Sequence, residues 1–307
     1  MTGDKFIIIL IVYILGLLKQ GRIRKVMEID LNQNIQKAKE VLKNADAILI
    51  TAGAGMGVDS GLPDFRGTEG FWRAYPIAKK LGLRFEELAN PRWFRESPKL
   101  AWAFYGHRLK LYRNTKPHDG FYILRKLGES KEGGYFIFTS NVDGQFQKAG
   151  YSELKIVEIH GSIHHLQCTV PCTNDIWSAD NIKIDIDMEK FEAKEPLPEC
   201  IHCHALARPN ILMFGDWYWI SDRTEDQLYL YERWLSNIKS RNLNLAIIEI
   251  GAGKAVPTVR YESEKIADIT GGKLIRINPR DFDVPYGHIS IPLGGLEGIK
   301  RITEELV

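Results

Sequence analysis

The chain has 307 residues, which suggests about two domains and a core large enough to need no disulfides. Its 41 basic and 39 acidic residues nearly cancel, to a formal charge of +2, which argues against a broad nucleic-acid-binding surface. At 44% hydrophobic and 26% charged residues the composition is that of a globular protein, so extensive disorder is excluded.

Residues 6–18 form an uninterrupted apolar run, roughly 20 Å long as a helix and short of the ~30 Å hydrocarbon core of a bilayer. Lys19, Arg22, Arg24 and Lys25 follow at once. With only Lys5 ahead of the run and no small-residue cleavage site behind it, a secretory signal fits poorly. A short anchor with a cytoplasmic basic flank is one alternative. The favoured one is an extension, residues 1–26, ahead of a natural start at Met27, because an amphipathic helix (Leu31, Ile35, Ala38, Val41, Leu42) begins just beyond it. Membrane association is expected only if residues 6–18 are a real anchor.

Residues 46–51 then predict a buried parallel strand, followed by a glycine-rich turn. The aromatic-rich stretch 71–114 predicts a helical insertion. A helix is expected over 118–128 and buried strands over 134–139 and 154–159. Residues 163–208 carry all four cysteines with polar, irregular spacing, and predict a small metal-stapled module. A short apolar run at 211–214, helix 222–239, strand 244–250, helix 257–269, strand 273–277 and helix 296–306 complete the chain. Strands alternating with helices predict an α/β fold with a doubly wound, Rossmann-like parallel sheet. That domain is expected to comprise 27–66, 115–162 and 209–307, with 67–114 and 163–208 forming a smaller one.

The turn after the first strand reads Gly53-Ala54-Gly55-Met56-Gly57. Glycines there let a backbone approach a pyrophosphate, although a tight structural turn needs them equally. A dehydrogenase fingerprint would run on into a long helix. Here Pro63 and Gly67 interrupt, and Asp64, Phe65 and Arg66 sit on a loop that would enclose a dinucleotide rather than present it for hydride transfer.

Cys168-x3-Cys172 and Cys200-x2-Cys203 are two short-spaced pairs, 27 residues apart. That pattern predicts a closed, structural zinc site, with His202 and His204 as bystanders. So few cysteines, paired in this way, suit a reducing compartment, and a cytoplasmic location is expected.

The segment GAGMGVDSGLPDFRG resembles the sirtuin signature, and the likeness continues along the chain. TSNVDG (139–144), His160-Gly161, the four cysteines, Arg208-Pro209, Phe214-Gly215-Asp216 and Asn278 resemble further family elements in the same order. The resemblance implies an NAD-dependent protein-lysine deacylase that releases nicotinamide and O-acyl-ADP-ribose. It implies that His160 is the general base acting on a ribose hydroxyl, for which an imidazole is suited, and that Asn141 orders water and the ribose. Asp143 would hold the nicotinamide carboxamide, Phe65 would shield the reactive carbon, and Arg66 with the backbone of Ala52 and Gly53 would hold phosphate and ribose. Ala54, Gly55, Asp64, Ser140, Gly251, Gly253 and Asn278 complete the implied cofactor site. An acyl-lysine backbone would add as a strand against residues 214–216, contacting Phe214 and Gly215.

Tyr105 and Arg108 lie i, i+3 on a predicted helix, and a guanidinium beside a phenol suits a carboxylate. The spacing resembles the Y-x-x-R pair of sirtuins that remove succinyl or malonyl groups. An ordinary helix-surface pair is the competing reading. The sequence departs from the family pattern at Gly57 (often Ser), Ser140 (often Gln) and Gly251-Ala252-Gly253 (usually G-T-S). With two phosphate-binding hydroxyls missing, an ADP-ribosyltransferase or NAD glycohydrolase is the alternative activity, and a non-enzymatic NAD-binding module is a further one.

Overall fold

The computed structural model describes residues 28, 30–64, 71–72, 75–80, 82–170 and 172–306. The N-terminal extension and the expected cofactor residues Phe65 and Arg66 lie outside them. Among the described residues, no helix is long and apolar enough to cross a membrane.

The first three strands, β1 (Ala47–Ala52), β2 (Tyr135–Thr139) and β3 (Ile156–Glu158), belong to the main sheet. The chain then builds β4 (Gly161–Cys168), β5 (Trp177–Ser178), β6 (Ile186–Asp187), β7 (Glu192–Ala193) and β8 (Ala207–Ile211) outside it. It returns with β9 (Leu245–Ile250), β10 (Lys273–Ile277) and β11 (Ile289–Ile291). The main sheet is six-stranded, in the order β11-β10-β9-β1-β2-β3, and every pairing is parallel.

All six residues of β1 are buried, as a strand covered on both faces requires. Its alternation sorts them. Ile48 and Ile50 pack with Leu42, Leu124 and Ile299 on one face. Ala47 and Leu49 pack with Tyr231, Ile238 and Val259 on the other. Helices 30–44, Asp119–Glu129 and Gly295–Thr303 therefore cover one face, and Asp222–Ser240 and Thr258–Thr270 the other. The expected doubly wound architecture is found.

The smaller unit has a separate core. Phe71, Trp102, Phe104, Tyr105, Ile163, Leu166 and Phe191 belong to one cluster there. Helix Pro98–Asn114 packs on the β6–β7 hairpin, and the Trp102 indole donates to the Ala207 carbonyl at 3.0 Å. A three-stranded antiparallel sheet, β5-β4-β8, adjoins it. The sequence missed both β4 and β8. Gly161 at φ 74 and the register shift between Ser162 and Leu166 erase period-two patterning in β4, and Ala207–Ile211 holds Arg, Pro and Asn within five residues. Only Ile211 of the apolar run 211–214 is in a strand. Strand β11, three residues long, was also unanticipated. The expected boundaries at 162/163 and 208/209 fall inside the paired strands β4 and β8, so these strands join the two units.

Candidate active site

Chain direction alone creates the crevice. From β1 the chain moves to β2 and then β3 on one side, whereas β9, β10 and β11 extend to the other. The carboxyl ends of β1 and β9 thus lie side by side where the winding reverses, the usual ligand position in such sheets. Gly53 follows β1 there, and Gly251 follows β9.

These two turns touch. The Gly53 amide donates to Ile250 O and the Gly55 amide to Gly251 O, both at 3.0 Å. A Cβ on Gly53 would meet Ala252 Cα and Gly251 O at 2.8 Å. Gly251 has φ 63, and a Cβ there would stand 2.4 Å from the Gly55 backbone. The glycines are therefore required first by turn-on-turn packing. Sequence reasoning left phosphate approach and a tight structural turn both open, and the Gly53 and Gly55 amides are engaged within the protein. Ala252 is buried, and a side chain at Gly57 would press on Leu62 at 3.0 Å.

The loop after β2 is tied to the same turn. Thr139 Oγ1 donates to Ala52 O at 2.8 Å, and the Ser140 amide to the same carbonyl at 3.2 Å. Asn141 Nδ2 donates to Gly53 O at 3.0 Å. Asp143 Oδ1 accepts from the Gln145 amide at 2.9 Å, while His164 Nε2 donates to the Asp143 carbonyl at 3.0 Å. His160 follows β3 and is half-buried; its carbonyl accepts from the Leu212 amide at 3.0 Å, which joins it to the start of the 212–216 segment. Burial pulls the His160 imidazole below its ordinary pKa, opposed by hydrogen bonding to the Ser140 backbone. The ring is neutral at pH 7 and able to accept a proton.

Asn278 follows β10 and is fully buried. Its Nδ2 donates to Ala252 O at 2.8 Å, and its Oδ1 accepts from the Arg280 and Asp281 amides at 3.0 Å. Arg276, also fully buried, pairs with Glu249 across the β9–β10 register and donates to the Asp283 carbonyl. Arg260 donates to the Asp281 carbonyl at 2.6 Å. The loop after Asn278 is thus fixed from below, and Arg280 reaches Asp64 at 2.9 Å. Ala52, Gly53, Ala54, Gly55, Ser140, Asn141, Asp143, His160, Gly251, Gly253 and Asn278 all lie at or just beyond the carboxyl ends of β1, β2, β3, β9 and β10.

Asp143 has a measurable signature. Burial, aided by the Glu158 charge, raises its carboxyl from an ordinary 3.8 to about 6. The folded protein holds that proton more tightly than the unfolded chain does. Ionisation therefore costs stability progressively between about pH 4 and pH 6, and the full cost persists above. Asp143→Asn, which keeps the acceptor for the Gln145 amide, is expected to stabilise the protein by about 1–3 kcal/mol at pH 8 and by little at pH 4. Denaturant melts at the two pH values check this.

Arg208 of β8 and Asp216 form a buried pair at 2.7 Å. Asp216 also accepts from the Met213 and Tyr218 amides, at 3.4 and 3.2 Å, which shapes the 213–218 turn. Phe214 and Gly215 are exposed on it, and the Phe214 amide donates to Ala89 O at 3.0 Å. Tyr105 and Arg108 are buried, not on a helix surface. The guanidinium donates to Tyr112 Oη through Nε and Nη2, at 3.0 and 2.9 Å, and lies within 5.7 Å of the rings of Phe85, Phe104, Tyr105 and Tyr112. Tyr105 Oη is buried with no hydrogen-bond partner among the described residues. Sequence reasoning missed Tyr112, although its i, i+4 spacing from Arg108 was available.

The four cysteines converge. Their sulfurs all lie within 4.8 Å of one another, with Cys168–Cys203 and Cys172–Cys200 at 3.6 Å. Tetrahedral thiolates around zinc at ~2.3 Å stand about 3.8 Å apart, and a disulfide needs about 2.05 Å. The set fits structural zinc and not a disulfide pairing. The exposed His202 ring meets Asp175 at 2.6 Å instead of joining the cluster.

The Sir2 family model matches residues 53–228, and the chain belongs to that family. It is 30% identical to the NAD-dependent protein deacylase of Aquifex aeolicus over 79% of this chain and 87% of that protein. It is 32% identical to the NAD-dependent protein deacylase of Leptospira interrogans serogroup Icterohaemorrhagiae serovar Lai over 80% and 85%. Among solved structures, a sirtuin studied for its substrate affinity superposes with a TM-score of 0.63 at 25% identity, covering 87% of this chain and 97% of the other. A Sir2 homologue in complex with ADP-ribose gives 0.62 at 24% identity, over 87% and 95%, and shares the fold.

Proposed function

We propose that this chain is an NAD-dependent protein-lysine deacylase, which transfers the acyl group of an acyl-lysine to NAD-derived ADP-ribose and releases nicotinamide and free lysine. The observation that carries the reading is the bond from Asn141 to the glycine turn at the switch point, with the His160 imidazole against the Ser140 backbone of the same loop, in a Sir2-family chain that spans most of two deacylases.

NAD supplies the electrophilic ribose carbon. The protein's own residues bind and orient around it. Asn278 and its braced loop would hold the adenosine half, the edges of the Gly53 and Gly251 turns the phosphates, and Asp143 the carboxamide. Asn141, anchored on Gly53 O, would orient the ribose and a water. The neutral His160 imidazole would take a proton from a ribose hydroxyl. The backbone at 214–216 would receive the acyl-lysine segment as an added strand. Zinc would hold the end of β4 against the 200–206 turn and take no part in the reaction.

Incubation with NAD and a panel of acyl-lysine peptides, read by mass, tests this. Equal amounts of nicotinamide, deacylated peptide and O-acyl-ADP-ribose are expected. Free or protein-bound ADP-ribose with the peptide unchanged would overturn it in favour of the glycohydrolase or transferase.

The Tyr105–Arg108–Tyr112 group is near enough to Asp143 and Asp216 to feel their charges. Arg108 acts electrostatically on Asp143, and Asp216 on Tyr105. A buried guanidinium with an adjacent unpartnered phenol suits an acyl chain ending in a carboxylate. Arg108→Met is expected to lower desuccinylation about 10- to 100-fold more than deacetylation, the loss of one charge-assisted hydrogen-bonded contact. Equal losses on the two peptides would reject that acyl specificity.

A further inference from the structure

We propose that His118 is a positioning residue that locks the cofactor-side turn by hydrogen-bonding the backbone behind it; the proposal rests on the deacylase reading of the site. His118 is the N-cap of helix Asp119–Glu129 and is 8% exposed. Its Nδ1 accepts from the Gly120 amide at 3.0 Å, so the proton of the neutral ring sits on Nε2 and is donated to Met56 O at 2.9 Å. The His118 amide donates to Ser60 Oγ at 3.0 Å. One residue therefore grips the 3₁₀ helix Ala54–Ser60 at two points.

The tie continues to the site. The Met56 amide donates to Gly53 O at 3.0 Å, the same carbonyl that holds Asn141 Nδ2. Two peptide groups thus separate the imidazole from the turn and from Asn141. The ring has a built seat. It lies 4.9 Å from the Phe121 ring, and a Cβ on Gly120 would strike His118 Cε1 at 2.6 Å and Ile299 Cδ1 at 2.9 Å. Ordinary capping needs only a short polar side chain. An imidazole does more, because its second nitrogen reaches a different element.

The Gly120 bond needs the neutral ring, since a protonated imidazole has no acceptor at Nδ1, whereas the Nε2–H donated to Met56 O is present in either form. The groups that act on it are Asp59 on the 3₁₀ helix, Asp119 on its own helix and Lys300 on the C-terminal helix. Asp59 accepts from the Leu296 amide at 2.7 Å, and Asp119 pairs with Lys300 at 3.3 Å. Burial is the largest influence and holds the ring neutral at pH 7.

His118→Asn keeps the cap and cannot reach Met56, whereas His118→Ala loses both. In His118→Asn the KM for NAD is expected to rise about 5- to 20-fold with kcat within twofold, melting within a few degrees of wild type, and faster hydrogen exchange at the 54–57 amides. Wild-type KM and wild-type exchange in His118→Asn would overturn the proposal. A wild-type protein that bound no NAD would overturn the site reading itself, and the exchange rates, which need no ligand, would still decide whether the tie exists.

Discussion

His160→Ala is expected to lose deacylation by about 10²–10⁴-fold, the range for removing a general base, while binding NAD within about threefold of wild type. The separation follows from what His160 holds. Its carbonyl accepts the Leu212 amide, a main-chain contact that alanine keeps. The loop after β10, proposed above to hold the adenosine half, is fixed independently by Asn278, Arg276 and Arg260. Only the proton acceptor is lost. The wild-type pH profile adds a second check. Burial places the imidazole below its ordinary pKa, so kcat/KM should fall as pH drops through that lowered value and be level above neutrality. Initial rates with NAD and an acyl-lysine peptide from pH 5 to 9, together with calorimetric NAD binding by His160→Ala, measure both. Deacylation by His160→Ala at near wild-type rate would remove His160 from the chemistry.

Five of the six strands of the main sheet were legible in the sequence because both faces of that sheet are buried. Residues 46–51 and 134–139 read as largely apolar runs, and the strands found there differ by no more than one residue at either end. The small sheet was not legible, since it buries polar groups by pairing them with one another. Asn210 donates to Gln167 Oε1 at 2.9 Å, and Arg208 pairs with Asp216. Neither strand then carries an alternating signal. The site was legible as an ordered set of short motifs, and the topology gives those motifs one location. What the motifs did not contain was the second layer. Tyr112 beneath Arg108, Thr139 beneath Ala52 and His118 behind Met56 each serve through a bond to backbone or to another side chain. Apart from the i, i+4 spacing of Tyr112 from Arg108, no spacing rule marks such partners.

Removing zinc should divide the molecule along the same line. Chelation, or Cys200→Ala, is expected to melt the module around β4, β5 and β8 while the six-stranded sheet stays folded. Structural zinc contributes about 10–16 kcal/mol of apparent binding free energy, comparable to the whole stability of a domain. Here it closes a loop of polar, irregular chain between Cys172 and Cys200. The two clusters that flank the main sheet contain no residue of that loop, so their packing survives. The loss should reach the peptide side, because Cys168 and Ala207 are register partners and β8 leads directly into the 212–216 turn. Deacylation should therefore fall by at least about tenfold while NAD binding, held by the main sheet, changes much less. Zinc content by metal analysis, circular dichroism through a chelator titration, and parallel NAD-binding and deacylation assays measure the split. A Cys200→Ala protein with full zinc occupancy and unchanged melting would show that the sulfur cluster holds no structural metal. Simultaneous collapse of NAD binding and the sheet would show that the two units fold as one.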